Sequence, residues 1–422
     1  MIVIRGARVW GRSGLVEKTV VIDGDRVVET DAVSVPPGAQ MIEAPGAILG
    51  PGLVDLHVHL RDPGATWKED ITTGSMAAAA GGFTAVIAMP NTDPSTDSVK
   101  TVVDILNRTA EVGVIDIAVA GALTRGREGL EMADFDSMYD AGVRMFTDDG
   151  DSVADSGLLR RIMAYLRDLP GALVAEHCED ASLTRDGHLN EGIVSVGHGI
   201  GGIPAVAEEM VVARDLALAA DTGARLHIQH VSTSGSVDLV RRAKARGLAV
   251  TCEVTPHHLG LNEMAVNDLD PNFKMYPPLR TAADCRALVE GLEDGTVDAV
   301  ATDHAPHTPS EKDVPFEAAP RGVSGLETSA SVAWGALQGN ADLFFERMSV
   351  GPARIVGLDR HGQPVEPGAP ANLVLFDPGR LWQVRSFRSK SSNNPFLGAT
   401  LTGMVMATIH EGSLVYEAAS DE

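Results

Sequence analysis

Residues 53–60 read Leu-Val-Asp-Leu-His-Val-His-Leu, an apolar run that closes on two histidines one residue apart. Side chains at i and i+2 of a strand share a face, so the imidazoles of His57 and His59 point the same way and can reach one ion. A His-x-His on a strand is often only a packed or surface pair. Its meaning depends on where the strand sits in the fold.

Seven further β-branched runs follow, separated by longer Ala-, Leu- and Arg-rich helical stretches as far as about Gly339. They are TAVIAMP (84–90), IDIAVAGAL (115–123), VRMFTDDG (143–150), ALVAEHCED (172–180), RLHIQHVS (225–232), AVTCEVTP (249–256) and DAVATDHAP (298–306). This alternation signals a parallel sheet of βα units. Eight such strands predict an α/β fold closed into a (β/α)8 TIM-like barrel. Strands covered on both faces are apolar throughout, yet several of these end in His or Asp. In a barrel those carboxyl ends converge on one rim. His57 and His59 from the first strand, His177 from the fifth, His230 from the sixth and Asp303 from the eighth are therefore predicted to meet in one pocket.

An open doubly wound sheet would normally carry a glycine fingerprint after its first strand. The glycine-rich run GHGIGGIP (197–204) precedes a helix but lacks both G-x-G-x-x-G spacing and a following Lys-Ser/Thr pair. It reads as a flexible loop. Outside the barrel, IVIRGARVW, KTVVIDGDRVVE and AQMIEAPGAILGPG near the start, and ANLVLFDPG and TGMVMATIHEGSLVYE near the end, are short β runs punctuated by Gly, Asp and Pro. They predict a small β-sandwich domain made of residues 1–50 and 357–422, flanking the barrel over 51–356.

Over 422 residues, 44% hydrophobic and 22% charged residues give the balance of a globular protein. The net charge of −24 disfavours nucleic acid and anionic membrane as partners. The same field repels an anionic small substrate, so a carboxylate ligand would need local cations in its pocket. Three scattered cysteines, Cys178, Cys252 and Cys285, fit neither a disulfide framework nor a Cys-rich zinc site. With no basic leader and no run of 18 apolar residues, the expected location is cytoplasmic. The G-x-S-x-G elbow of a Ser-His-Asp hydrolase is not found where it would be needed.

Imidazole and carboxylate donors suit Zn²⁺, and a site that keeps open positions is the catalytic form. If two ions bind, a shared anion must hold them together. Strand four contains no lysine to carbamylate, and Arg144 stays protonated. Asp148 or Asp149 is the available carboxylate.

The runs HVHLRDPG (57–64), MPNTDP (89–94), FTDDG (146–150), EVTPHH (253–258) and ATDHAPH (301–307) resemble the bacterial dihydroorotases of the amidohydrolase superfamily. The resemblance covers nearly the whole chain. It points to the branch in which an aspartate of the strand-four DDG motif replaces the carbamylated lysine, which implies Asp149. It further implies one or two zinc ions on His57, His59, Asp149, His177, His230 and Asp303, with Asp303 doubling as proton carrier. Substrate contacts are implied for His59, Arg61, Asn91, His307 and the Arg321-Gly322 backbone, with Arg61 and His307 as the local cations or donors. Where the family usually has asparagine before Pro-Pro-Leu-Arg, this chain has Tyr276. That departure, in a substrate-facing position, bears on substrate choice, because tyrosine offers one hydroxyl and a bulky ring where asparagine offers both a donor and an acceptor.

The expected reaction is reversible hydrolysis of the cyclic amide of dihydroorotate to N-carbamoyl-aspartate in pyrimidine synthesis, with Asp303 passing a proton to the departing nitrogen. Hydantoinase, allantoinase and dihydropyrimidinase activities are the alternatives. The non-enzymatic alternative is an inactive subunit that supports aspartate transcarbamoylase. A homodimer is implied by resemblance, and a transcarbamoylase partner is a further expectation. His257 and His258 read either as orienters of ligands or as structural histidines. Cys178 should point away from the pocket. The stretch Thr308–Gly322 is either a lid or an inert surface loop.

Overall fold

The computed structural model describes residues 1–12, 14–30 and 38–419. Its strands in chain order begin with β1 (Ile2–Gly11), β2 (Gly14–Asp23), β3 (Arg26–Thr30), β4 (Gln40–Glu43) and β5 (Ile48–Pro51). The central strands are β6 (Leu53–Val58), β7 (Phe83–Ala88), β8 (Asp116–Val119), β9 (Met145–Phe146), β10 (Leu173–Glu176), β11 (Leu189–Asn190), β12 (Gly202–Ile203), β13 (Leu226–Ile228), β14 (Val250–Val254) and β15 (Ala299–Val300). The chain finishes with β16 (Leu373–Gln383), β17 (Thr400–His410) and β18 (Ser413–Glu417).

Strands β6, β7 and β8 pair in parallel, as do β9, β10, β13, β14 and β15. Parallel bridges from Gly121 to Phe146 and from Val58 to His304 join the two sets at both edges. The result is a closed barrel of eight parallel strands, built from the eight runs read in the sequence. Helices between them start on side-chain caps: Asp70 accepts from Thr73 N, Thr233 from Ser236 N and Thr281 from Asp284 N. Each cap satisfies a backbone donor that the first helical turn leaves unpaired.

Alternation along the strands divides the core. Val174, Leu226, Ile228, Cys252 and Val300 pack outward with the helices, while Leu56, Ile87, Met145, Leu173, Ala175 and Ala299 fill the interior. The inward set on β13 and β14 is instead polar. His227, Thr251 and Glu253 share that parity.

Strands β1–β5 and β16–β18 form one eight-stranded sheet. An Arg26–Pro370 bridge brings β3 round to the lead of β16, so the sheet folds as a sandwich over Ile4, Val20, Ile22, Leu49, Leu373 and Ile409. The run AQMIEAPGAILGPG divides into β4 and β5.

Two sequence expectations change. GHGIGGIP is not a flexible loop: it ends the helix Ile193–His198, caps it at Gly199 and supplies β12, which pairs with β11. A Cβ at Gly201 would lie 2.0 Å from Asp186 O, so the glycines serve close packing. The barrel ladders also stop short of the predicted ends. β15 closes at Val300, and His230 and Asp303 adopt φ of +30° and +46°. Such backbone is uncommon for non-glycine residues; it turns their side chains into the mouth and ends the pairing. Among the described residues no helix is long and apolar enough to cross a membrane.

Candidate active site

The carboxyl ends of the barrel surround a cavity of about 280 Å³ lined by His59, Arg61, Asn91, Asp149, Gly150, His177, His230, Tyr276, Asp303, Ala305, His307, Arg321 and Gly322. His57, fully buried, lies in the same cluster. Its Nε2 is 3.2 Å from Asp149 and 3.6 Å from Asp303. His59 Nε2 is 3.1 Å from Asp303 and 3.4 Å from Asp149. His230 Nε2 is 3.5 Å from Asp149 and 2.9 Å from His177 Nδ1. Five of the six residues singled out as ligands are thus gathered round one point, and His177 lies at its edge, its Nδ1 3.8 Å from Asp149.

Two adjacent carboxylates in the DDG motif have different surroundings. Asp148 accepts from the backbone N–H groups of Leu123 and Thr124 at 2.8 and 3.0 Å, and from the Thr124 hydroxyl. It ties down the turn. Asp149 faces the histidines, while Arg127 Nη2 donates to its carbonyl at 2.8 Å. The choice left open between them by residue type is made by one reversal of side-chain direction.

His57 Nε2 and Asp149 Oδ1 are buried without a hydrogen-bond partner, although they lie 3.2 Å apart. Their directions converge on a common point rather than on each other. Leaving such groups unpaired costs about 1–3 kcal/mol each, and a cation between them would satisfy both. Two groups, His57–His59–Asp303 and His57–Asp149–His230, bring their ligand atoms within 4.8 Å of one another and could each hold a metal ion. The donor set fits a divalent cation.

The electrostatics agree with that chemistry. Burial alone would raise the pKa of Asp149 and of Asp303, but the surrounding imidazoles hold both below the ordinary carboxylate range. Burial also opposes protonation of His57, yet Asp149, Glu253 and Asp303 together raise its pKa well above the usual imidazole value. Both carboxylates are ionised at neutral pH.

The side facing away from the ligands is cationic. Arg61 is half-buried with φ +58°, and its Nε is buried without a partner. Lys68 Nζ lies 3.4 Å from His307 Nδ1. His307 Nε2 donates to Arg321 O at 2.9 Å, and burial with the cations Arg61 and Lys68 lowers its pKa to about 3. His307 is therefore neutral with both ring nitrogens engaged, and the positive charge beside it belongs to Arg61 and Lys68. Asn91 Oδ1 accepts from His59 Nδ1 at 2.8 Å, which turns His59 Nε2 toward the centre, 3.1 Å from Asp303 Oδ1.

Tyr276 donates to Thr184 Oγ1 at 3.1 Å, its ring centroid lies 5.1 Å from that of His177, and the Arg321 guanidinium sits 3.8 Å above it. Gly322, at φ +124°, leaves room that a Cβ would fill 2.7 Å from Ala305 Cβ. The stretch 308–322 is tied down by Lys312, whose Nζ donates to the carbonyls of Pro271 and Pro320 at 2.9 Å and of Lys274 at 3.3 Å. His258 is held by Thr255 Oγ1 and the carbonyls of Pro277 and Pro278. Cys178 points away, toward Asp215.

Residues that the sequence reading passed over include Glu253, His227, Gln229, Lys68 and Arg127. The first three carried a signal, being polar side chains inside otherwise apolar strands. Arg127 and Lys68 lie in connecting segments and carried none.

The model of the family described as "Dihydro-orotase-like" matches residues 46–236. A dihydroorotase of Citrifermentans bemidjiense is 44% identical over 425 residues, spanning 99% of this chain and 100% of that protein. A dihydroorotase of Pelotomaculum thermopropionicum is 45% identical over 407 residues, spanning 95% of this chain and 94% of that protein. Among solved structures, the L-hydantoinase (dihydropyrimidinase) of Arthrobacter aurescens superposes with a TM-score of 0.88 at 25% identity, covering 99% of this chain and 96% of its own. Full-length identity at that level, together with the barrel and the ligand cluster at its mouth, means that this chain belongs to the dihydroorotase family of cyclic amidohydrolases.

Proposed function

We propose that the chain is a zinc-dependent dihydroorotase, interconverting (S)-dihydroorotate and N-carbamoyl-L-aspartate in pyrimidine synthesis. The observation that carries this reading is a mouth with two faces: His57, His59, Asp149, His230 and Asp303 converge on one side with His177 beside them, and the half-buried Arg61 stands on the other. Nitrogen and oxygen donors of this kind suit Zn²⁺. His57, His59, Asp149, His177, His230 and Asp303 would hold one or two ions. When bound, the metal supplies Lewis acidity toward the amide carbonyl and makes water nucleophilic near neutral pH.

Arg61 binds the substrate carboxylate, offsetting the net charge of −24 that would otherwise repel it. Asn91, the Arg321-Gly322 backbone and the neutral His307 fix the amide edge. Asp303, kept ionised by His59 and His57, takes a proton from the attacking water and delivers it to the leaving ring nitrogen. In the biosynthetic direction the same carboxylate works in reverse.

Tyr276 favours one second reading. Its ring, packed between His177 and Arg321, stands where the dihydroorotases usually have asparagine, and hydantoins or dihydropyrimidines are the alternative substrates. The deciding experiment assays zinc-loaded protein with dihydroorotate, hydantoin and dihydrouracil in parallel, alongside metal analysis. Turnover of dihydroorotate at least tenfold above the others supports the proposal. Preference for either other ring, or protein that binds no metal, rejects it.

A further inference from the structure

Beneath the mouth, the barrel interior holds an ionisable chain where apolar filling is usual. Glu253, on β14, is 1% exposed. One of its oxygens accepts from His57 Nδ1 at 2.8 Å and the other from His227 Nε2 at 3.1 Å. His227, fully buried, places its Nδ1 2.8 Å from Thr251 Oγ1. His227 and Thr251 are register partners on neighbouring strands, and Glu253 lies two residues beyond Thr251 on the same face. The chain Thr251–His227–Glu253–His57 is thus built across β14, β13 and β6.

Burying a carboxylate this deeply costs several kcal/mol unless it is paired and hydrogen-bonded, and nothing in the barrel architecture calls for one. Leu, Ile or Val would fill the same layer without that penalty. Gln229 Nε2 also approaches His57 Nδ1, at 3.3 Å. The shorter, charge-assisted contact is to Glu253, so Nδ1 carries the proton and donates to the carboxylate. Nε2 is then fixed toward Asp149 and Asp303, where a bound cation would take the place of its proton. That nitrogen is the one with no hydrogen-bond partner.

We infer that Glu253 is a positioning residue for metal binding: it fixes the tautomer and ring plane of His57 and strengthens Nε2 as a donor, while His227 and Thr251 hold the carboxylate in place. His57 belongs to both groups able to hold an ion, so one carboxylate governs the ligand common to them. The inference rests on the metal-dependent reading given above.

The test measures zinc affinity by competition with a chromogenic chelator for wild type, Glu253→Gln and Glu253→Ala, together with thermal unfolding of the metal-stripped proteins. Loss of such an outer partner typically weakens metal binding by about 10- to 100-fold. Alanine should show that loss, and glutamine, which retains an acceptor for Nδ1–H without the charge, a smaller one. The Co²⁺-substituted glutamine variant should show an altered visible spectrum. If alanine does not fold, the isosteric glutamine carries the test. Variants that bind zinc with wild-type affinity and give an unchanged cobalt spectrum overturn the inference while leaving the enzyme reading intact. Wild-type protein that binds no divalent metal overturns both.

Discussion

Histidines and aspartates cluster at two levels of this molecule, and only one of the clusters has the form of a reaction centre. At the mouth, His57, His59, His177 and His230 meet Asp149 and Asp303, with donor atoms crowded round one point and two of them unpaired. On the opposite side, where β7 and β8 begin near the small sandwich, Asp116 receives His361 Nε2 at 2.8 Å and lies 3.3 Å from His410 Nε2. Thr84 Oγ1 takes the other nitrogen of His361 at 3.0 Å. Here a single half-exposed carboxylate serves two imidazoles. His361 has a partner on each ring nitrogen, while His410 Nε2 stands at ion-pair distance from the same carboxylate without a hydrogen bond, and only this one carboxylate faces the pair. The difference teaches that residue type is not the signal. In a barrel, polar residues at the carboxyl ends of strands read as chemistry, and those at the amino ends read as stability.

The comparison breaks most readily at Asp303. Asp303→Asn should lower kcat by about 10²- to 10⁴-fold, the range of a lost acid–base group, with metal content retained. A variant with full turnover would show that Asp303 does not carry the proton. Arg61→Lys should raise KM for the anionic substrate by roughly tenfold or more, because lysine cannot reproduce a bidentate carboxylate contact; metal content should not move, and unchanged KM removes Arg61 from the substrate site. Lys312→Met removes the ammonium that ties the 308–322 stretch to the carbonyls of Pro271 and Lys274 and leaves the Pro320 carbonyl without that donor, at a cost of about 1–3 kcal/mol. A raised KM with unaltered zinc affinity is expected, and wild-type kinetics would detach that loop from the site.

The smallest effects belong to the lower cluster. Asp116→Asn should reduce stability by about 1 kcal/mol, a value discounted for the exposure of the carboxylate, without altering kcat or metal content. Any change in either would mean the two clusters are coupled. Burial pushes the Asp116 pKa up, but the hydrogen bond from His361 and the His410 imidazole beside it outweigh this and hold the pKa below its ordinary value of 3.8. A carboxylate whose pKa is depressed by folding contributes fully above the unfolded value and loses its contribution as pH falls toward the folded one. Urea titrations below pH 3.8 should therefore bring wild type and variant together, and a gap that persists or widens there contradicts the assignment.

The barrel was legible because its eight runs are short, apolar and regularly separated by helical stretches, and because five candidate residues stand at their ends. The strand limits were less so. Asp303 lies three residues beyond Val300, on backbone that only the mouth's crowding explains. Asp148 and Asp149 are chemically equal in sequence, and the Leu123 and Thr124 amides distinguish them from another strand's end. His307 looks like a cation until Arg321 O, Lys68 and Arg61 are placed around it.

By itself, the sequence determined which residues could do the chemistry and on which strand each stands, since a period of two and the alternation with helices are local properties of the chain. The tertiary structure decided how those residues are used: which aspartate faces inward, which ring nitrogen is left to bind, that Glu253 stands under His57, and that His361 and His410 belong to a joint. These outcomes depend on partners brought together from up to some 300 positions away, and a side chain's protonation and direction follow from the atoms it touches, which only closure of the barrel supplies.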